Sequence, residues 1–382
     1  MKHLRLLSLL VSFAVGSLSL SAQPGRVAVG EINDVVKHET FTPSFERDGV
    51  DEKPMNVILM IGDGMGLAHL ASGMFANGGE LTITNLRTTG WVCTQSATDF
   101  TTDSAASGTA YAAGVKTHNG AIGVDKDNNS VPNIPEKVAK TGMVSGVVTT
   151  DSMTGATPAS FFAHQPDRNM SAEIWADLAD AEIIFFAGGS KEDFERQDEK
   201  TVKAVQKRYH VIESLDDKKA AKAKRVGYLP PKSRTASVSE GRGDFLPAST
   251  EYAIEFLNSN KKDGKGFFLM VEGARIDKSA HGNDYPEVVK EVLDFDQAVE
   301  AAIRFAEKDG NTLVIISADH ETGALSLRGG DPSKGNMKGS FSSGGHTGIP
   351  VPLFAYGPGS QHFMGVQENS DVSNKIAELL AE

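Results

Sequence analysis

The sequence predicts an α/β protein, a three-layer sandwich with a mostly parallel central sheet flanked by helices. Strand-like runs alternate with helical patterns through most of the 382 residues. Several runs, residues 56–61 and 311–317 among them, are continuously apolar rather than alternating, as in strands buried on both faces. Residues 286–307 set Val288, Val292, Phe295, Val299, Ile303 and Ala306 at helical spacing. Elements that alternate in this way stack helices against both faces of one sheet.

The chain opens on the basic stretch Met1-Lys2-His3-Leu4-Arg5, followed by an apolar run over 6–20 and the small residues of Ser19-Leu20-Ser21-Ala22. Residues 1–22 therefore read as a signal peptide cleaved near Ser21 or Ala22, and the mature chain is expected in a periplasm or secreted. The run falls short of the about 20 apolar residues of a membrane span. No cysteine near the cleavage site offers a lipid anchor, so no stable membrane anchor is expected. Residues 23–54 are polar and read as an irregular N-terminal arm. Residues 55–382 read as one domain, with strands at 56–61, 143–149, 181–186, 266–271, 311–317 and 351–355. Cys93, in the strand-like run Gly90-Trp91-Val92-Cys93-Thr94, is the only cysteine, so no intramolecular disulfide forms and stability rests on the core. It reads as an inert buried thiol. A charge-rich peripheral segment at 187–247, with Pro230-Pro231 inside it, reads as a solvated helical face and surface loop. Its Arg242-Gly243-Asp244 tripeptide recurs too readily by chance to signal adhesion.

The formal charge is −12, and loss of Lys2 and Arg5 with the signal takes it two lower, to −14. That excludes nucleic acid as a partner and gives no affinity for anionic membranes. An anionic substrate is still compatible if metal ions supply local positive charge.

Chemistry gathers at the expected strand ends. In Thr101-Thr102-Asp103-Ser104-Ala105-Ala106-Ser107-Gly108-Thr109-Ala110 an acid precedes a serine and a run of small residues. This places Ser104 at a helix N-terminus, where free backbone N–H groups favour an anion; read alone, it is only a capping signal. The run at 56–61 leads into Gly62-Asp63-Gly64-Met65-Gly66, which lacks the third glycine of a dinucleotide fingerprint and carries an acid that would repel a pyrophosphate. The glycines make better sense as room for a carboxylate and its cations. Glu272 follows the run at 266–271; Asp277 and His281, four apart, share a helical face suited to one metal. Asp319 and His320 follow the run at 311–317, and His346 lies in a glycine-rich loop. His38, His69, His118, His164, His210 and His362 read as structural. Acids just beyond buried parallel strands occupy the place where open α/β sheets bind ligands.

These motifs, together with Ala156-Thr157-Pro158-Ala159 followed by His164 and Arg168, resemble the alkaline phosphatases from Asn56 to the C-terminus. The resemblance implies hydrolysis of phosphate monoesters through a phosphoserine on Ser104. It implies one zinc held by Asp277, His281 and His346, a second by Asp63, Asp319 and His320, and a magnesium held by Thr157 and Glu272 with Asp63 bridging to it. Arg168 would grip phosphate oxygens, with Asp103 and Lys278 also lining the substrate site. Two departures stand out. Gly155 occupies a position often acidic or histidine in the family, so Lys278 is expected to lack an acidic partner and magnesium to be held more weakly. The short stretch between His320 and His346 and the missing cysteines leave a homodimer and a monomer both open. Rival readings are a phosphodiesterase or sulfatase of the same superfamily and a non-catalytic metal or phosphate binder. Arg168 with the magnesium set favours a monoester over a diester. A sulfatase nucleophile motif is absent around Ser104, and an intact nucleophile beside a full ligand set argues against a mere binder.

Overall fold

The computed structural model describes residues 28–33, 35–231 and 235–381; the expected signal segment and its cleavage site lie outside them. Among the described residues ten strands form the central sheet. In spatial order they are Gly365–Glu368, Thr88–Cys93, Val351–Tyr356, Thr312–Ser317, Asn56–Gly62, Phe267–Gly273, Val144–Thr149, Phe185–Ala187, Val226–Tyr228 and His210–Ile212. Only Val351–Tyr356 runs against its neighbours; every other pairing in this sheet is parallel. Asn56–Gly62, Phe267–Gly273 and Thr312–Ser317 are buried along their whole length, so their continuous apolar runs face helices on both sides. Leu67–Ala76, Phe245–Asn260 and Tyr285–Asp309 pack together as one helical layer, and Ser104–Ala113, Ile134–Ala139 and Asn369–Leu380 form the other. No helix among the described residues is long and apolar enough to cross a membrane.

The departures from expectation are local. The run at 181–186 yields a strand only over Phe185–Ala187. The charge-rich segment adds two sheet strands of three residues each, too short to show a periodicity. Arg242, read as part of a solvated stretch, is fully buried, bonded to Glu291 and Asp294 of the long helix. Cys93 is half-buried rather than enclosed. Part of the polar 23–54 stretch is regular, because Ala28–Ile32 pairs antiparallel with Asn336–Phe341, which also pairs with Leu325–Asp331. A two-residue ladder, Glu321–Thr322 against His346–Thr347, ties the His346 loop to the end of the Thr312–Ser317 strand.

Candidate active site at the carboxyl ends of the sheet

Four neighbouring parallel strands, Thr312–Ser317, Asn56–Gly62, Phe267–Gly273 and Val144–Thr149, bring their C-terminal ends out side by side. The first delivers Asp319 and His320, the second Asp63, the third Glu272, and the segment after the fourth carries Asp151 in a loop and Thr157 on the short Ala156–Ala159 helix. Glu272 lies inside its strand, paired in register with Ile61 and Thr149, rather than beyond its end. Gly64 has φ +70°, and a Cβ there would stand 2.8 Å from Thr322 Oγ1 and 2.9 Å from Asp277 Cα. The glycine turn thus admits the Arg275–His281 helix that carries Asp277.

Asp277, His281 and His346 converge. His281 Nε2 lies 3.3 Å from Asp277 Oδ2 and 3.1 Å from His346 Nε2, and His346 Nε2 lies 3.5 Å from Asp277 Oδ1. Each histidine is oriented from behind. His281 Nδ1 donates to Gly344 O (2.7 Å) and His346 Nδ1 to Thr102 O (3.0 Å), since a carbonyl can only accept. The Thr322 hydroxyl spends its proton on Asp277, so it accepts from His320 Nδ1 at 3.3 Å. All three rings therefore turn Nε2 inward, as a lone pair for a cation or, in the metal-free protein, as the N–H of a protonated ring. Two such lone pairs at 3.1 Å repel unless a cation lies between them. Ligands about 2.0–2.1 Å from a tetrahedral zinc stand about 3.3 Å apart, which these spacings match.

Asp63, Asp319 and His320 make the adjoining cluster, their ligand atoms within 4.8 Å of one another; His320 also stands that close to Asp277 and His346. His320 Nε2 is 3.1 Å from Asp319 Oδ2 and 3.6 Å from Asp63 Oδ1. Among the described residues those two buried oxygens receive no hydrogen bond, and buried Thr157 Oγ1 likewise has no partner. Orphaned oxygens of this kind are the donor set of a hard or borderline cation. The other Asp319 oxygen is held by Gly64 N–H and His320 N–H, at 2.9 and 3.0 Å. Glu272 accepts from the Thr149 hydroxyl.

The electrostatics show what the acids need. Burial, then the charges of Asp319, Asp277 and Glu272, push Asp63 well above the usual carboxylate range. Burial, then the Asp151 charge, raises Glu272 to about 8. Burial opposes ionisation of Asp277 as well, but hydrogen bonds from His281 and His346 overcome it and hold this carboxyl well below its ordinary value. Asp319 is lowered too: burial opposes its ionisation, but the charge of His320 outweighs it. The hydrogen bond to Asp277 lifts His281 to about 9, so without metal a proton takes the cation's place.

Ser104 opens the Ser104–Ala113 helix and is buried, with its Oγ 3.2 Å from His320 Nε2. Asp103 caps that helix by accepting from Ala106 N–H at 3.0 Å. Its second oxygen accepts from Gly120 N–H at 3.1 Å and from Arg168 Nη1 at 2.9 Å. Arg168 is anchored again through its own N–H, which donates to Gly120 O at 2.7 Å. Lys278 corrects an expectation: it does have an acidic partner, because its ammonium is bonded to Asp151. Asp151, Thr149 and Thr322 escaped the sequence reading. Asp151 lies in a loop, Thr149 closes a strand and Thr322 sits in a two-residue ladder, places with no periodic signal to show what they face.

Relatives match the same span. The alkaline phosphatase family model matches residues 54–223 and 245–339. "Alkaline phosphatase 4" of Bacillus subtilis (strain 168) is 33% identical, covering 85% of this chain and 88% of its own. The alkaline phosphatase of Escherichia coli (strain K12) is 31% identical, covering 85% and 86%. The solved alkaline phosphatase of the Antarctic bacterium TAB5 superposes with a TM-score of 0.81 at 39% identity, over 86% of this chain and 99% of that one. A mutant of the TAB5 enzyme was solved with Mg bound in its M3 site, also with a TM-score of 0.81 and 37% identity, over 86% and 98%. The matched span takes in the strands that carry these acids and the capped serine: the chain belongs to the alkaline phosphatases, enzymes that hydrolyse phosphate monoesters.

Proposed function

We propose that this chain hydrolyses phosphate monoesters through a phosphoserine on Ser104, with two zinc ions and one magnesium. Asp277, His281 and His346 would hold one zinc and Asp63, Asp319 and His320 the other. Thr157 and Glu272 would hold the magnesium, with Asp63 shared. When bound, these cations supply positive charge to the phosphoryl oxygens and lower the pKa of a coordinated hydroxyl or water. The observation that carries the reading is the Ser104 hydroxyl, set at a helix N-terminus 3.2 Å from His320 Nε2 in the metal-ligand cluster.

The chain's own residues divide the work. Orphan N–H groups of the Ser104–Ala113 helix favour the oxyanion of Ser104. Ser104 Oγ gives its proton to solvent and forms a bond to phosphorus as the P–O bond to the alcohol breaks in line, the leaving oxygen departing with its electron pair and taking a proton from water. Water then attacks phosphorus and loses a proton as the P–O bond to Ser104 breaks and the serine oxygen takes one up, which releases inorganic phosphate and regenerates Ser104. Asp103 occupies Nη1 of Arg168, leaving the rest of the planar fork for two phosphate oxygens. The basic-then-apolar N-terminus supports export to a periplasm or secretion.

Ser104→Ala and the unaltered chain, assayed on monoester, diester and sulfate substrates before and after chelation and zinc restoration, test this. Turnover is expected to prefer the monoester, vanish on chelation, return with zinc and be lost in Ser104→Ala. Equal activity in Ser104→Ala rejects the phosphoserine route, and a preference for diesters rejects the substrate class.

A further inference from the structure

Between Thr149 and Thr157 the chain makes a loop whose packing exposes a substitution of place rather than of residue. A Cβ on Gly155 would stand 2.7 Å from Asp151 Oδ2 and 3.0 Å from Ser152 O. A side chain at 155 and the present position of the Asp151 carboxylate therefore exclude each other. The backbone of Asp151 is pinned on both sides. Its N–H donates to Thr149 Oγ1 at 2.9 Å, its carbonyl accepts from Gly189 N–H at 2.6 Å, and Thr150 Oγ1 accepts from Ala274 N–H at 2.9 Å. The same Thr149 hydroxyl donates to Glu272, and the Asp151 carboxylate bonds Lys278. Buried Thr157 Oγ1, two residues past Gly155, has no hydrogen-bond partner among the described residues.

We infer that Asp151 is a positioning residue of the hard-cation pocket formed by Asp63, Thr157 and Glu272, its carboxylate filling the volume left by Gly155 and fixing Lys278 at the pocket's rim. The inference rests on the magnesium reading above. Magnesium keeps several of its waters in protein sites, so its retention depends on acceptors beyond the direct ligands. Gly155 is then the space for an acid, and the weakened magnesium binding expected from a bare glycine does not follow.

The test is magnesium titration of the zinc-loaded protein by calorimetry, without substrate, with zinc content and melting midpoint recorded alongside. Asp151→Ala is expected to bind magnesium about 10–100-fold more weakly at unchanged zinc content. Asp151→Asn, which keeps the shape and drops the charge, is expected to do the same and guards against a folding failure of the alanine variant. The double variant Asp151→Ala/Gly155→Asp, which moves the acid into the vacated space, is expected to recover most of the affinity. Unchanged magnesium affinity in Asp151→Asn overturns the inference, as does a double variant that binds no tighter than Asp151→Ala. Because no ester is present, failure of the phosphoserine route leaves this readout intact, and failure here leaves that route standing.

Discussion

At Gly64 one absent carbon decides whether the Asp277 cluster can close. The residue sits at φ +70°, its N–H donates to Asp319 Oδ1 at 2.9 Å, and Asp277 Cα would lie 2.9 Å from any Cβ. Alanine there carries about 1–2 kcal/mol of left-handed backbone cost before the contact is counted. The contact is with backbone, which cannot rotate away, so the Arg275–His281 helix must shift and take Asp277 with it. Gly64→Ala is therefore expected to lose roughly 2 kcal/mol or more of stability and to release zinc more readily. Denaturant melts and zinc retained after dialysis check this, and wild-type values in both contradict it. Much of this was legible in the sequence: closely spaced glycines after a buried strand do make room for a carboxylate. The occupant was not, since Asp277 arrives from a strand and helix far along the chain. Asp151 was hidden for a related reason, as nothing in Asp151-Ser152-Met153-Thr154-Gly155 tells that the loop folds the first residue over the last.

Among the elements, length and continuity decided what could be read. Phe267–Gly273 and Thr312–Ser317 are apolar runs long enough to mark a strand, and the helix Tyr285–Asp309 keeps its apolar face over its whole length. His210–Ile212 and Val226–Tyr228 are too short for any pattern, and they become strands because the sheet edge beside Phe185–Ala187 accepts them. The charged segment hid its buried member as well. Arg242 donates through Nη1 to Ala236 O and Glu291 Oε1, at 3.0 and 3.1 Å, and through Nη2 to Asp294 at 2.7 Å. Glu291 also accepts from Val238 N–H at 3.0 Å, so this triad fastens the chain around 236–242 to the long helix. Arg242→Ala strands two buried carboxylates and is expected to cost about 3–5 kcal/mol. Arg242→Lys is expected to recover only part of this, because one ammonium cannot reproduce a planar fork shared by two acids. Equilibrium denaturation of the three proteins decides it; an alanine variant as stable as the parent would show that the triad does not fasten this segment.

Across the whole molecule, the parallel sheet concentrates at one end a set of charges that the rest of the fold opposes. Asp63, Glu272, Asp277 and Asp319 are buried together, a cost that cations offset and water cannot. Removing metal should therefore change how stability depends on pH as well as its size. In the metal-free chain Glu272 titrates near 8 instead of 4.5, facing Asp151 and Asp319 with Lys278 nearby, and Asp63 is shifted the same way. A raised carboxyl keeps a proton in the folded state that the unfolded chain has released, so stability falls as pH rises between the two values. His281, lifted from 6.5 to about 9 by Asp277 with Arg168 opposing, acts in the same sense: its contribution is complete below about 6.5 and is lost as pH rises through 9. Asp277 and Asp319 are held low, so their contributions are already complete above the usual carboxylate range and stay constant over this window. Metal binding displaces the protons and removes the dependence. The chelated protein is thus expected to lose stability from about pH 5 to pH 9, with a slope of up to about 1.4 kcal/mol per pH unit for each proton involved. The protein restored with zinc and magnesium should change less, so the gap between their melting midpoints widens with pH. A gap that stays constant or narrows over that range would mean that the buried acids do not carry these protons.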